Sequence, residues 1–394
     1  STVVRGGYGL TIDPLPFSRP LRGSFYPVTI AATFQQNTGF QNFGTLATGI
    51  PPIPAPDLST GIVALPNNVA IRSPWGNIKR GGVNSWNLTV ERRIGKNLNG
   101  SVGYVGTKST NVLGDRDVNA AAPGAGNNGR PYFGVTGGRN IATNMWDGWM
   151  SSHYHGLQSS LRGNVTKELF VQGAYTWSKA INMTDEDGWV STNWNWAPVI
   201  GRNSAPAGYD RTQIFQMGYV YQLPIGRGKA FLNTSSKAAN LIVGGWQTGG
   251  IYYAYSGTPF TVTADGTRLA APGNLQTADL VGEFKYLYGK GTNTPYFAGT
   301  NFVNPTAAPG SPIRFGTTGR NRFRGPGVAG LDFNLLKNFD ITERLNVQFR
   351  AEAANLTSTP RFGNPGSNVD GGNFGIITGA GGERQLRFGV RVGF

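Results

Sequence analysis

The sequence ends in QLRFGVRVGF, residues 385–394, and this stretch decides the fold. Its apolar positions are Leu386, Phe388, Val390, Val392 and Phe394, and each is separated from the next by a polar residue or glycine. Successive side chains of an extended chain point to opposite faces, so one face here is wholly apolar and the other polar or small. The pattern predicts a long β-strand whose apolar face lies against an apolar medium.

Two stretches upstream share this alternation, one from Phe333 to Phe339 and one from Leu345 to Ala353. A soluble β-sandwich also buries one face, so the period alone leaves both architectures open. Length separates them, because these strands run about 10–12 residues, near the 9–11 that a tilted strand needs to cross a bilayer and above the usual 5–6 of soluble proteins. The terminal Phe394 fits a last strand that ends at the periplasmic rim, so a transmembrane barrel is favoured.

Composition agrees with an all-β chain. The 394 residues include 59 glycines and 12% aromatic residues, but only 14% charged residues, which suits many turns and half-apolar strands. Without cysteine, the chain offers neither disulfides nor cysteine-ligated metal sites. The net charge of +15 is scattered along the chain, so we interpret it as lumen and loop charge facing lipopolysaccharide phosphates or acidic ligands, and we expect no nucleic-acid binding.

The spacing of the strands predicts how the chain is organised. Short turns near residues 95, 165, 225–240 and 342 alternate with long loops, as in a transmembrane barrel with short periplasmic turns and long extracellular loops. We expect an antiparallel barrel of about 10–12 strands, with residues 241–260 forming one long strand or two joined at a bulge. The predicted long loops are 13–83, 110–152, 182–209, 261–327 and 358–383. The whole chain, 1–394, is expected to be one barrel region made of a leading strand and long loop (1–83), a hairpin-rich segment (84–260), a long loop (261–327) and the C-terminal strands (328–394).

Several short motifs, taken together, resemble the barrel half of TonB-dependent outer-membrane receptors. They are YTWSKA at 175–180, GGWQ at 244–247 with SGTPF at 256–260, GRN at 319–321 with RGPG at 324–327, and FRAEA at 349–353 with NL at 355–356. The chain is most similar to the Oar-like group, whose members carry an N-terminal carboxypeptidase-regulatory-like domain. The resemblance implies a bacterial outer-membrane receptor with a 22-stranded barrel and an N-terminal plug, which imports a large or scarce solute through TonB.

The sequence departs from that plan, because the plug, the TonB-binding segment and about half of the strands are not among its residues. We expect either the C-terminal portion of a longer polypeptide or a short protein whose open edge pairs with another chain, since unpaired strand edges are costly in lipid. TonB would then act only through an N-terminal part, while the barrel-assembly machinery would use the C-terminal strand. Two other hypotheses remain open, a structural or adhesive surface protein that assembles with a partner chain, and a soluble β-rich carbohydrate-binding module.

Candidate sites are few, and no arrangement predicts catalysis or a cofactor. Three tryptophans in one loop, Trp189, Trp194 and Trp196, are predicted to contact a ligand or partner, because exposed tryptophans are costly without a purpose. His153 and His155 would share a strand face as a weak metal pair, but no third ligand is suggested by spacing.

Two loop motifs have ordinary structural interpretations. Residues 185–188, DEDG, begin like a calcium loop but lack its later ligands, so an acidic extracellular loop is the simpler interpretation. Residues 226–229, GRGK, lack the first glycine and the helix of a phosphate-binding loop, so they predict a periplasmic turn.

Overall fold

A computed structural model describes the chain except residues 13–46, 48, 50–51, 54, 64–65, 68, 75, 77, 135–136, 187–191, 292 and 343. One sheet dominates it, and ten long strands of this sheet follow each other in chain order, each antiparallel to the next. They are β1 (Thr2–Ile12), β2 (Gly82–Ile94), β3 (Leu98–Asp117), β4 (Thr143–Asn164), β5 (Leu169–Asn182), β6 (Gln213–Gln222), β7 (Trp246–Tyr255), β8 (Val328–Asp340), β9 (Asn346–Ala354) and β10 (Gln385–Gly393).

Two short segments complete the twelve strands of this sheet. Ile71–Pro74 runs parallel to β4, and Ala205–Pro206 runs antiparallel to β5. The predicted number of about 10–12 strands is therefore confirmed within the described residues. The predicted loop 13–83 falls largely on residues that the structure does not describe.

The register of the strands places apolar residues beside apolar residues. Val90 of β2 lies opposite Val102 of β3, and Phe349 of β9 lies opposite Val390 of β10. A slip of one residue would move the apolar set to the other face, so the alternation excludes such a slip. Leu88, Val102 and Phe388 on this face are 55%, 52% and 71% exposed. Within the described residues no second large sheet covers them, which contradicts the soluble carbohydrate-binding module.

The strands β3 and β4 extend well past their neighbours, to 20 and 22 residues. Their pairing continues through an irregularity between Ser109 and Leu113 and ends only at Asp117, opposite Asn144. The predicted loop 110–152 was therefore too long, and only 118–142 connects the two strands. Its sequence lacks alternation because apolar and polar side chains are buried together in this extension, among them Leu113, Trp146 and Met150 beside Asp115 and Asp117.

The connections segregate by length, as predicted. Residues 95–97, 165–168 and 341–345 make short turns at one end of the sheet, where the link 223–245 also lies, while the long connections leave from the other end. The link contains a helix, α1 (Lys237–Val243), whose first turn is capped by the Ser236 hydroxyl accepting from the Ala239 amide at 3.3 Å. The prediction that 241–260 is all strand was thus wrong at its start. No helix of the described residues is long and apolar enough to cross a membrane.

The long loops fold against one another at their end of the sheet. We call residues 256–327 and 355–384 the cap. Three two-stranded ladders stabilise it, pairing Pro259–Phe260 with Phe323–Arg324, Asp279–Leu280 with Phe302–Val303, and Arg361–Phe362 with Ala380–Gly381. The predicted loop 261–327 is therefore more ordered than expected, because it has its own apolar core. That core comprises Phe260, Val262, Ala278, Tyr296, Phe297, Phe302, Phe323 and Ile377.

Candidate functional site

The face of the sheet opposite the apolar one carries the polar and charged side chains. On it, Tyr253 and Tyr255 of β7 lie beside β8, where Tyr253 is opposite Gly330 and Ile251 is opposite Asp332. A Cβ at Gly330 would overlap the phenol of Tyr253, so the glycine provides the space in which this ring lies flat on the sheet. The ring is consequently buried although it lies on the polar face.

A cavity of about 600 Å³ opens above these residues, beneath the cap. Two arginines from the loops line it together with the two tyrosines. The guanidinium of Arg211 lies 5.6 Å from the ring centre of Tyr255, and that of Arg361 lies 5.4 Å from the ring centre of Tyr253, within the range of cation–π attraction. The remaining lining residues are Ile251, Thr258, Pro326, Val328, Asp332, Phe362, Gly363 and Asn364.

Hydrogen bonds fix both guanidinium groups while leaving most of their donors available. Arg211 donates from Nη1 to the Ser256 carbonyl at 2.7 Å, and Arg361 donates from Nη2 to the Tyr253 hydroxyl. Among the described residues, neither arginine forms an ion pair with a carboxylate. Asp332 is the one acidic residue of the lining, so two positive charges face one negative charge there. A guanidinium presents five donors in a planar fork, which matches a carboxylate or phosphate.

The loop that carries Arg361 is fastened to the sheet directly below the cavity. The amide of Asn355 donates to Asp332 at 2.7 Å, and the Asn355 side chain both donates to the Thr359 carbonyl and accepts from the Thr359 amide, each at 3.0 Å. Asn355 has a positive φ of 50°, which asparagine tolerates better than most residues. The turn 355–359 is thereby held in one shape, and Arg361 projects from it in a defined direction.

The neighbour of Arg211 is fastened in a similar way. Asp210, whose side chain is buried, accepts from the Ala180 amide of β5 at 2.7 Å and pairs with Arg324 of the cap. Arg324 also donates to the carbonyls of Asp210 and Gly257, at 3.0 and 3.1 Å. This ion pair joins the loop after β5 to the cap, so both arginine-bearing segments belong to one connected structure.

A second polar network locks the loop between β3 and β4. Asp117 accepts from the amides of Asn119 and Thr143, both at 2.9 Å, and forms an ion pair with Arg130. Arg139 is fully buried and donates to the Thr143 hydroxyl at 2.7 Å and to the carbonyls of Pro66 and Val69. Burial lowers the pKa of Arg139 from its ordinary value, while Asp117 opposes that shift. Asp117 and Arg130 are paired with each other and Arg139 is satisfied by hydrogen bonds, as burial requires, so their role is structural.

The predicted tryptophan site does not lie in the cavity. Trp189 lies outside the described residues. Trp194 is fully buried, and its indole is covered by the guanidinium of Arg202 at 4.6 Å. The prediction of an exposed ring was therefore wrong for Trp194, because the loop folds back and encloses it. Trp196 is half-buried with its ring 6.3 Å from that of Phe315, and a ligand contact there stays a prediction.

Arg202, which covers Trp194, is itself held by the cap. Its guanidinium donates to the carbonyls of Gly316 and Thr318, at 2.7 and 2.8 Å, and so joins the loop after β5 to the cap. Burial lowers the pKa of Arg202 from its ordinary value. The tryptophan and the arginine together form a packed joint between two loops rather than a surface.

The two histidines lie on the apolar face, away from the cavity. Their ring centres are 5.7 Å apart, and Nδ1 of His155 is 2.6 Å from the hydroxyl of Tyr104. The described residues contain no group of three or more histidine, cysteine, aspartate or glutamate side chains able to hold a metal. A metal pair at His153 and His155 thus gains no third ligand from this part of the chain.

The loop motifs have the structural roles that their context suggests. Asp185 accepts from the Asn182 side chain at 2.9 Å and from the Gly208 amide at 2.7 Å, while Asp187 and Gly188 of the same motif lie outside the described residues. Gly226 has a φ of 108° and donates to the Phe231 carbonyl at 3.0 Å, in a turn at the short-turn end. The predicted turn at 226–229 is confirmed.

Sequence reasoning missed the four side chains that define the cavity. Tyr253 and Tyr255 occur in the polar phase of β7, and an aromatic residue in that phase is a signal that could have been followed. Arg211 lies in an irregular segment and Arg361 in a two-residue ladder within a long loop, so no alternation indicates which way either side chain points. Their convergence depends on the packing of the loops.

Comparison with known proteins places the chain in a family. The sequence profile described as outer membrane β-barrel domain matches residues 1–387. The chain belongs to this family. It is therefore a protein of the bacterial outer membrane, and the predicted all-β transmembrane architecture is confirmed. No curated protein sequence matches the chain significantly.

Solved outer-membrane proteins are similar to the chain at low identity. The outer membrane transporter YddB from Escherichia coli has 10% identity and a TM-score of 0.46, over 82% of this chain and 34% of its own. The ferric-catecholate import receptor Fiu from Escherichia coli has 12% identity and a TM-score of 0.41, over 99% and 32%. The pyoverdine receptor FpvA from Pseudomonas aeruginosa has 11% identity and a TM-score of 0.39, over 80% and 30%. The chain spans about a third of the length of these proteins.

Proposed function

We propose that this chain is the barrel portion of a TonB-dependent receptor that binds an anionic solute and imports it across the outer membrane. The observation that carries the proposal is the cavity beneath the cap, where Arg211 and Arg361 converge without carboxylate partners among the described residues. Membership of the outer-membrane family supplies the location, and the motif resemblance supports TonB coupling and an Oar-like relationship. Import and coupling are proposed for the complete protein, and no catalytic role is proposed.

The chemistry of the cavity supports a particular class of solute. Its volume of about 600 Å³ is within the range of small-molecule sites. The guanidinium groups would bind a carboxylate or phosphate, and the faces of Tyr253 and Tyr255 would stack on a flat or sugar-like part. We therefore propose a solute with at least one anionic group and one planar or ring-shaped part.

Depletion of solutes from the medium tests this proposal. A strain lacking the gene is complemented with the complete wild-type protein, with Arg211→Gln/Arg361→Gln, or with Arg227→Gln, which removes an exposed arginine from the short-turn end. Spent media are then compared by mass spectrometry. We expect anionic solutes that the wild type and Arg227→Gln deplete. The double variant should deplete them at least tenfold more slowly, because each charged hydrogen bond contributes about 1.5–3 kcal/mol.

Each alternative result has a distinct meaning. If the spent media of the deletion and wild-type strains contained the same solutes in the same amounts, import would be refuted. Solutes that the double variant depletes normally would place binding outside this cavity. Depletion that persists in a strain without TonB would refute the energy coupling. The other hypothesis, a structural or adhesive surface protein, gives no role to the cavity and predicts the first of these results.

A further inference from the structure

The apolar face of the sheet carries a cluster of cations at its long-loop end. Lys108 of β3, His153 and His155 of β4, and Lys179 of β5 all project from this face, because Lys108 lies opposite His153 and His155 lies opposite Lys179. Both lysines and His155 are exposed. In the described part of the chain, neither lysine forms an ion pair with a carboxylate. The electrostatic neighbours of His153 are the other three members, all of them basic.

Aromatic rings lie beside the cluster and between it and the middle of the sheet. Tyr104 stacks on His155 with ring centres 6.1 Å apart, and Trp86 lies 6.1 Å from the same imidazole. Trp177 precedes Lys179 by two residues on the same face and is 57% exposed. Trp86 lies in the same row of the sheet as His155 and Lys179, and Tyr104 and Trp177 lie one row, about 7 Å, nearer its middle. Aromatic belts mark the membrane interface, which places the cations at the level of lipid headgroups.

A groove joins the aromatic residues to the cationic cluster. It has a volume of about 570 Å³ and is lined by Tyr104, Leu157 and Trp177 toward the middle of the sheet and by His155 and Lys179 toward the loops. The remaining lining residues are Gly156, Ser178, Pro206, Thr212 and Arg324 of the cap, which already pairs with Asp210. The apolar part of the groove faces the membrane interior, and its cationic part faces the headgroups. A ligand that fits both parts has an acyl chain and an anionic head.

We propose that this groove binds a phosphorylated lipid of the outer leaflet, with a phosphate held by Lys108, His153, His155 and Lys179 and an acyl chain along Leu157 and Trp177. The long-loop end faces the outside in barrels of this type, so the leaflet is the one that contains lipid A. Charge complementarity and the position of the groove at the membrane interface both favour this lipid, since a free anion would leave the apolar half of the groove unfilled. The site is separate from the solute cavity, which lies on the opposite face of the sheet.

Native mass spectrometry of the complete, delipidated protein in detergent tests the proposal. The probes are lipid A with two phosphates, monophosphoryl lipid A and inorganic phosphate. The variant Lys108→Gln/Lys179→Gln is compared with Lys96→Gln/Lys229→Gln, which removes two exposed lysines from the short-turn end. Each lysine near a charged membrane surface contributes a factor of about five, so the first variant should bind diphosphorylated lipid A about 30-fold more weakly, and the control should bind it like the wild type.

Further variants and probes also test the proposal. Lys108→Arg/Lys179→Arg should restore binding, and a heat-shift gel should show that every variant is folded. Monophosphoryl lipid A should bind more weakly than the diphosphorylated form. Wild-type binding by the first variant, an equal loss in the control, or displacement of the lipid by millimolar inorganic phosphate would overturn the proposal.

Discussion

Gly330 shows how a single residue shapes the cavity beneath the cap. The ring of Tyr253 lies where a Cβ at position 330 would be, so Gly330→Ala should force the ring and the attached Arg361 to move. Overpacking of this kind costs about 1–3 kcal/mol. We expect the free energy of unfolding to fall by that amount, measured by urea unfolding of the vesicle-inserted protein with tryptophan fluorescence.

Gly389→Ala is the matched control. It lies on the same polar face, in β10, and a Cβ built there meets no atom within 4 Å. Its free energy of unfolding should stay the same or rise slightly, because alanine restricts the unfolded chain. Equal losses in both variants would show that the sheet resists any added methyl group and that the contact with Tyr253 is unimportant.

Among the elements, the cap depends on its own aromatic core. Phe297 is fully buried, and its ring contacts those of Phe260, Phe302 and Phe374 at centre distances of 5.2–5.9 Å. Phe297→Ala should destabilise the cap by about 3–5 kcal/mol, the usual cost of a buried phenylalanine. Hydrogen exchange should then accelerate in 256–327 and 355–384 while β2 to β5 remain protected.

The control for this prediction is Phe231→Ala. Phe231 is 64% exposed at the short-turn end, so its truncation should leave exchange in the cap unchanged. If Phe297→Ala accelerated exchange in the strands as much as in the cap, the strands and the cap would unfold as one unit. The aromatic core would then not stabilise the cap independently.

The ladder of Asp279–Leu280 with Phe302–Val303 gives the cap a dependence on pH. Arg314 donates two hydrogen bonds to Asp279, at 2.6 and 3.0 Å, and these lower the pKa of the carboxyl from its ordinary value. Because the folded state has the lower pKa, this stabilisation is present above the unfolded value of about 3.9 and is lost as the pH falls through the folded value.

Acidification below about pH 4 should therefore accelerate exchange of the Thr317 amide, which donates to Asp279 at 2.9 Å. In Asp279→Asn the exchange should already be fast at neutral pH and should depend less on acidification, after correction for intrinsic exchange rates. The same acid response in the variant and the wild type would show that another group controls this part of the cap.

The elements also show what a sequence can and cannot predict. The strands β2 and β10 are predicted directly by alternation, because one face meets lipid and the polarity of each residue indicates the face on which it lies. The cap does not, since its core joins Phe260 to Ile377, more than a hundred residues apart, and neither stretch alternates. Trp194 was misjudged for the same reason, as its cover, Arg202, is held by carbonyls of the distant residues Gly316 and Thr318.

The cavity requires a further level of information. Tyr253 becomes a wall of the cavity only because the register sets it opposite Gly330, and Arg361 reaches it only because Asn355 fastens the intervening turn. A single sequence fixes neither the register of β7 against β8 nor the course of that turn. The family and the location could be predicted from the sequence, whereas the residues that line the cavity could not.

At the scale of the whole molecule, the difference between the two faces of the sheet is the feature that makes it a membrane protein. Val102 and Ser101 are neighbours in β3 that point to opposite faces, the first 52% exposed on the apolar face and the second beside Glu91 of β2. An arginine near the middle of the lipid-facing band costs about 2–4 kcal/mol, whereas one in the lumen has little cost. At position 101 it would share Glu91 with Arg5 of β1, which already pairs with that carboxylate.

We therefore expect Val102→Arg to lower the free energy of unfolding of the vesicle-inserted protein by about 2–4 kcal/mol, and Ser101→Arg to change it by less than about 1 kcal/mol. Urea titration of vesicle-inserted protein measures both. Because the introduced side chain and the strand are the same, a difference of about 2 kcal/mol or more between the variants reports which face each residue occupies. Equal losses would mean that the face of Val102 does not lie in lipid, and a reversed order would mean that the sheet is inserted with its polar face outward.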